Sequence, residues 1–181
     1  MSAGRRADEL RYRPEHFVVD GALRDVCVLG TTLDDWRRMT EGLRVLPGRH
    51  VLTWTLAGTT DTGVPDASAV WARLEQDPEE SVSLAVEIGG MWFTSYFFEI
   101  EEIGFTFDPR AVVDRNTFAP VRDFVTWLGT STGREVVVTM ESTDHTTLPA
   151  MLRRRPPATC EADPGHGTNG SRAIPRRSRP C

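Results

Sequence analysis

The chain of 181 residues contains no lysine; all of its side-chain positive charge at neutral pH rests on 21 arginines. Arginine codons are GC-rich and lysine codons are not, so the bias reads as the mark of a GC-rich bacterial genome. The absence still excludes one chemistry. A P-loop holds its phosphates with the lysine of G-x-x-x-x-G-K-[ST], and this chain has none to offer. Cysteine is scarce as well. Cys27, Cys160 and Cys181 are odd in number and widely spaced, which suggests neither a disulfide framework nor a metal knuckle. No apolar run approaches the ~20 residues that span a bilayer. The opening MSAGRRADELRYRPEHF has no apolar stretch after its arginines and does not read as a secretory signal. The expectation is a soluble cytoplasmic protein that touches no membrane.

Charge is uneven. Residues 1–152 carry 14 arginines against 24 carboxylates, a net of −10, while 153–181 carry seven arginines against Glu161 and Asp163, a net of +5. The formal −5 of the whole chain hides this split. An acidic body repels nucleic acid and suits a basic protein partner. The last 29 residues are rich in proline, glycine and arginine, with Ile174 their one large aliphatic residue. Such a segment buries too little to offset its ordering entropy, so 153–181 is expected to be a disordered tail. A basic arm, or the product of a frame slip in GC-rich DNA, would have the same composition.

The chain is organised around Ser81–Asp108, SVSLAVEIGGMWFTSYFFEIEEIGFTFD. Alternating β-branched and aromatic residues predict an antiparallel meander, with strands at about 82–88, 92–100 and 103–107. The Gly89-Gly90 loop decides which side chains share a face, because a one-residue slip turns a strand over. A two-residue loop joins Val82, Leu84, Val86 and Ile88 to Phe93 and Phe97. A three-residue loop with a bulge joins them to Trp92, Tyr96, Phe98 and Ile100. The second arrangement gathers one apolar face, continued through Ile103, Phe105 and Phe107 by a Glu101-Glu102 turn, and is the one expected.

Around the meander, residues 1–14 read as a flexible leader and 15–152 as one domain. Strands are predicted at about 16–19 and 24–29 about Asp20-Gly21, and further strands at about 50–56 and 134–140. Three helices are predicted, at about 32–45, 66–76 and 117–128, the second capped by Asp66 and the third admitting Pro120 in its first turn. The resulting order, β-β-α-β-α-β-β-β-α-β, argues an α+β fold in which three helices pack on a mostly antiparallel sheet of six to seven strands.

The residues imply no cofactor and no metal. His16, His50, His145 and His166 are scattered, and Cys27 between valines reads as a buried small apolar residue. Asp34 and Asp35 read as carboxylates at the positive end of a helix dipole. The leading expectation is a non-enzymatic module that binds a basic protein, in one version an immunity-type inhibitor of a basic toxin. Phe93 and Phe97 would form its apolar centre, with Glu87, Glu99, Glu101 and Glu102 as an acidic rim. Cover of that aromatic row by the third helix is an equal alternative. An enzyme would have to assemble a pocket from dispersed residues such as His16, His50, Glu99 and Asp108, and a structural domain would use an exposed strand edge.

Overall fold

A computed structural model describes residues 10–55, 57–141 and 150–156. Eight strands form one antiparallel sheet, with three helices packed on it: β1 (Arg24–Leu29), β2 (Arg49–Trp54), β3 (Thr59–Thr62), β4 (Val82–Ile88), β5 (Met91–Tyr96), β6 (Glu102–Phe107), β7 (Val136–Met140) and β8 (Leu152–Arg154). The helices are α1 (Leu33–Leu43), α2 (Ala67–Gln76) and α3 (Ala119–Thr132). Strand order across the sheet is β3-β2-β4-β5-β6-β1-β7-β8. This is the α+β architecture predicted, with one strand more than the upper count. The additions are β3, in a polar run read as a loop, and β8, which lies where the apolar pattern fades. Arg153 and Arg154 pair with Val137 and Val136, so the sheet extends two residues past Leu152. The rest of the arginine-rich tail, from 157, lies outside the described residues, as do 1–9. Of the leader, Leu10 and Tyr12 pack on the core, Tyr12 with its ring 5.9 Å from both Phe17 and Phe118.

The strand predicted at 16–19 is absent. Pro14–Phe17 is a short 3-10 helix, and the buried guanidinium of Arg24 replaces the hairpin ladder. It donates to the carbonyls of His16 (3.0 Å) and Val18 (2.8 Å) and to Asp20, tying the incoming segment to β1.

The meander forms in the register that was not expected. Gly89 and Gly90 have φ of +58° and +83°, both left-handed, as a two-residue type I′ turn requires. Ile88 therefore faces Met91, Val86 faces Phe93 and Leu84 faces Ser95, which sets Leu84 and Tyr96 on opposite faces. Two glycines meet the I′ turn without the steric cost that other residues pay, and its twist matches the flanking strands, so no bulge is needed. The β5–β6 connection differs too. β5 ends at Tyr96, and the next five residues form an irregular loop, where a tight Glu101-Glu102 turn was expected. That loop is held by the start of α1: Trp36 Nε1 and Thr31 Oγ1 both donate to the Ile100 carbonyl, at 3.0 and 2.7 Å, and Thr31 N donates to that of Glu101.

The core lies between the helices and one sheet face. It holds Leu52, Val82, Leu84, Val86, Phe93, Ile103, Phe105, Phe107, Val26 and Val138 from the strands, and Trp36, Leu43, Val121, Phe124 and Leu128 from the helices. Phe124 of α3 stacks on Phe93 (centroids 4.1 Å apart) and meets Phe105 edge-on at 5.0 Å. Helix α1 packs against both α2 and α3. Gly42 permits the second contact, since a Cβ there would stand 3.0 Å from Ser131 Oγ and 3.2 Å from the Trp127 ring.

Asp35 fastens the N-terminus of α1. Its buried carboxylate accepts from Thr32 N and Thr32 Oγ1, each at 2.9 Å, in a capping box, and also from Arg38 and from Arg134 Nε at 2.9 Å. Burial opposes ionisation, but the hydrogen bonds and arginines outweigh it and hold the carboxyl below the usual range. The pair Asp34-Asp35 thus serves helix stability, as the dipole argument had it.

Candidate functional site

Because successive side chains of a strand alternate, the sheet has a second face on which α1, α2 and α3 do not pack. Its central rows come from β5, β6 and β1. Trp92, Thr94, Tyr96 and then Phe98 follow one another along the first. Glu102, Gly104 and Thr106 make up the second, and Asp25 and Cys27 the third; the register sets Thr94 opposite Thr106, Thr106 opposite Asp25 and Gly104 opposite Cys27. Trp92, Tyr96 and Phe98 are exposed to 38, 45 and 84%, the aromatic surface that the expected register would have buried.

A cavity of about 240 Å³ opens on this face, lined by Asp25, Cys27, Thr94, Tyr96, Phe98, Glu99, Glu102, Gly104, Phe105 and Thr106. Gly104 explains part of the hollow, for it adds no side chain to the row between Glu102 and Thr106. A Cβ there would stand 3.2 Å from Glu102 Oε1, so the carboxylate lies close over the glycine. The Tyr96 and Phe98 rings stack with centroids 5.5 Å apart and planes at 16°. Burial, together with the neighbouring Glu102 and Asp25 carboxylates, pushes the Cys27 thiol well above its ordinary value, so it stays protonated at neutral pH and is no thiolate nucleophile.

The candidate residues fall in three groups. Phe93 and Phe97 are core residues, contrary to their proposed role as an exposed centre. Phe93 lies beneath Phe124, and Phe97 leaves the ladder to stack 4.5 Å from Trp36 beside Trp71. Cover by α3 accounts for the first, and the α1 and α2 tryptophans for the second. Glu87 is ion-paired to Arg49, whose guanidinium also lies 5.1 Å over the Trp92 ring, so it adds no net charge to the rim. Glu99 and Glu102 line the cavity, whereas Glu101 is exposed in the adjoining loop and does not. The aromatics that do face outward, Trp92, Tyr96 and Phe98, were assigned to the core. The glycine pair was the signal that could have placed them correctly.

The dispersed set offered for an enzyme does not converge. His50 stands on β2, three strand spacings from β6, roughly 14 Å. Burial lowers its pKa, and burial is also the main cause lowering that of His16. Asp108 follows β6 and is taken up by Arg110, which holds its carboxyl below the usual range.

The run Gly129-Thr130-Ser131-Thr132-Gly133 matches the G-x-S-x-G spacing of a nucleophile elbow, but it forms the last turn of α3 and not a strand-to-helix turn. Gly165, Gly167 and Gly170 match G-x-G-x-x-G and lie outside the described residues; the arginine- and proline-rich sequence before them has no strand pattern. Among the described residues, no group of three His, Cys, Asp or Glu side chains is placed to hold a metal ion, and no helix is long and apolar enough to cross a membrane. At the sheet edge, β3 is four polar residues between Gly58 and Gly63, a poor template for pairing with another chain. Comparisons with family models, curated proteins and solved structures find no match to this chain.

Proposed function

We propose that this chain is a non-catalytic binding module whose helix-free sheet face docks a basic protein, in its sharpest form an immunity-type inhibitor that covers a basic toxin. The observation that carries this reading is the exposed aromatic row of Trp92, Tyr96 and Phe98 beside the carboxylates of Glu99 and Glu102. Tyrosine and tryptophan bury much area at little entropic cost, and they dominate interface hot spots. The surrounding charge favours a cationic partner, since residues 1–152 carry a net of −10. The protonated Cys27 and the scattered histidines speak against chemistry at this face.

The test is calorimetric titration of the full chain with the products of neighbouring genes, beginning with the most basic. One of them should bind with an affinity that falls as salt is raised. A Tyr96→Ala, Phe98→Ala double variant should weaken it by tenfold or more while unfolding like the parent. Absence of binding by every basic neighbour, or unchanged affinity in the double variant, would overturn the reading.

A further inference from the structure

The arginine-rich segment that starts in β8 sets out on the open face of the sheet. Val137 lies between the core residues Val136 and Val138, so it points away from the helices, and Arg153 stands opposite it. Arg153 and Arg155 both donate to the Glu135 carboxylate, at 2.6 and 3.3 Å. Arg154 turns the other way, onto Gly129 and Thr130 of α3. Two of the first three arginines are thus bonded to a carboxylate beside the face on which no helix packs. One row of strand pairs then leads across that face. Val137 pairs with both Arg153 and Cys27, and Cys27 pairs with Gly104 of β6, the strand next to β5.

Further on, Arg172, Arg176, Arg177 and Arg179 fall within eight residues that hold no carboxylate. Residues 1–152 carry a net of −10, so the body attracts this cluster. Reach agrees with charge. Four strand spacings separate β8 from β5, roughly 19 Å. Arg172 is 16 residues after Pro156, and a coil of that length spans roughly 20–24 Å root-mean-square. A tether whose span matches the gap gives an effective concentration on the order of millimolar, so individually weak contacts suffice. The exposed rings of Tyr96 and Phe98 offer those contacts, since a guanidinium stacks on an aromatic face, as Arg49 does 5.1 Å over Trp92.

We propose that Arg172–Arg179 of this same chain docks on the open face at Tyr96 and Phe98, so that the protein covers its own binding surface. The contact itself needs no partner. Its consequence, that a basic partner must displace the segment, rests on the docking reading given above.

Cys181 offers a reporter. Cys27 is buried and protonated, so with Cys160→Ser a thiol-directed nitroxide goes to Cys181 alone. In the isotope-labelled full chain, the nitroxide should broaden the amides from Trp92 to Phe98 in low salt and spare those of α2 on the helix side. Salt at about 0.5 M should restore them. The fourfold Arg172→Gln, Arg176→Gln, Arg177→Gln, Arg179→Gln variant should restore them too, with the rest of the spectrum unchanged. Amides of β5 that stay sharp in low salt, or broaden as much in the Gln variant, would overturn the proposal. So would equal broadening when spin-labelled chains without isotope are mixed with isotope-labelled chains without the spin label, because the contact would then belong to a second copy. With a basic partner present, the Gln variant should bind it at least about twofold more tightly than the parent. No broadening, with partner binding still lost in the Tyr96→Ala, Phe98→Ala variant, would sink self-docking and leave the docking face standing. Salt-sensitive broadening with no basic partner would do the reverse.

Discussion

Strand β5 serves two surfaces with one run of aromatics, and the two sides of the sheet differ in what holds them. Phe93, fully buried, is stacked on α3, and Phe97, just past the end of the strand, packs against the touching tryptophans of α1 and α2. On the other side, Trp92, Tyr96 and Phe98 face solvent beside carboxylates and a hollow at Gly104. Composition alone does not separate these sets, since both are Phe-, Tyr- or Trp-rich. The separation comes from a two-residue turn and the parity it imposes.

The largest break in this comparison comes from truncating one ring on each side. Phe93→Ala should cost about 3–5 kcal/mol in urea denaturation, because it leaves a cavity under Phe124. Phe98→Ala should stay within about 0.5 kcal/mol, as expected for a ring 84% exposed. Similar losses for both would mean that the two sides are not distinct. Next in size is Asp35→Ala, which removes a capping box and two arginine contacts at once and should cost roughly 1–3 kcal/mol. The depressed pKa of Asp35 makes this contribution pH-dependent. It is fully present above the unfolded carboxyl value near 4 and is lost as pH falls through the lower folded value. In the Ala variant that segment of the acid-unfolding profile should flatten.

The turn itself offers a sharper cut. Gly89→Ala should lose about 1–2 kcal/mol, because its φ is left-handed and a Cβ there would stand 2.9 Å from Pro120 Cγ. Gly90→Ala has the same φ penalty and open space around it, so its loss in thermal unfolding should be smaller. A larger loss at Gly90 than at Gly89 would contradict the packing of the turn against α3. The smallest effect concerns the histidines. Both His16 and His50 have lowered pKa values, so each contributes stability that is intact above the unfolded value near 6.5 and declines as pH falls below it. Substituting both with Gln should reduce the slope of unfolding free energy against pH below the unfolded histidine value near 6.5.

Much of the architecture was legible in the sequence. The spans of α1 and α2, the Asp66 cap, the place of Pro120 in α3 and the outer two strands of the meander follow from periodicity and punctuation, whereas the middle strand, expected to reach about residue 100, stops at Tyr96. What misled was a preference for collecting all large apolar residues on one side. That preference overrode the turn chemistry of Gly89-Gly90, although the turn is local and the aromatics could be divided. The strand at 16–19 was lost to a residue whose role is invisible at the level of pattern: Arg24 satisfies carbonyls that a hairpin partner would otherwise have met. The candidate site was half readable. Glu99 and Glu102 were picked from charge beside aromatics, but the hollow depends on Gly104 meeting Cys27 across β6 and β1, strands more than 70 residues apart in the chain.

That distance has a further effect. Strand β1, which leaves the ribosome before the other strands of the described sheet, ends up inside it between β6 and β7. At the usual elongation rate of 5–20 residues per second, Val26 emerges roughly 4–16 s before Phe105, and Val138 follows later still. Through that interval β1 has neither of its ladder partners, so the newborn chain must keep a valine-rich segment from sticking elsewhere until its C-terminal half arrives.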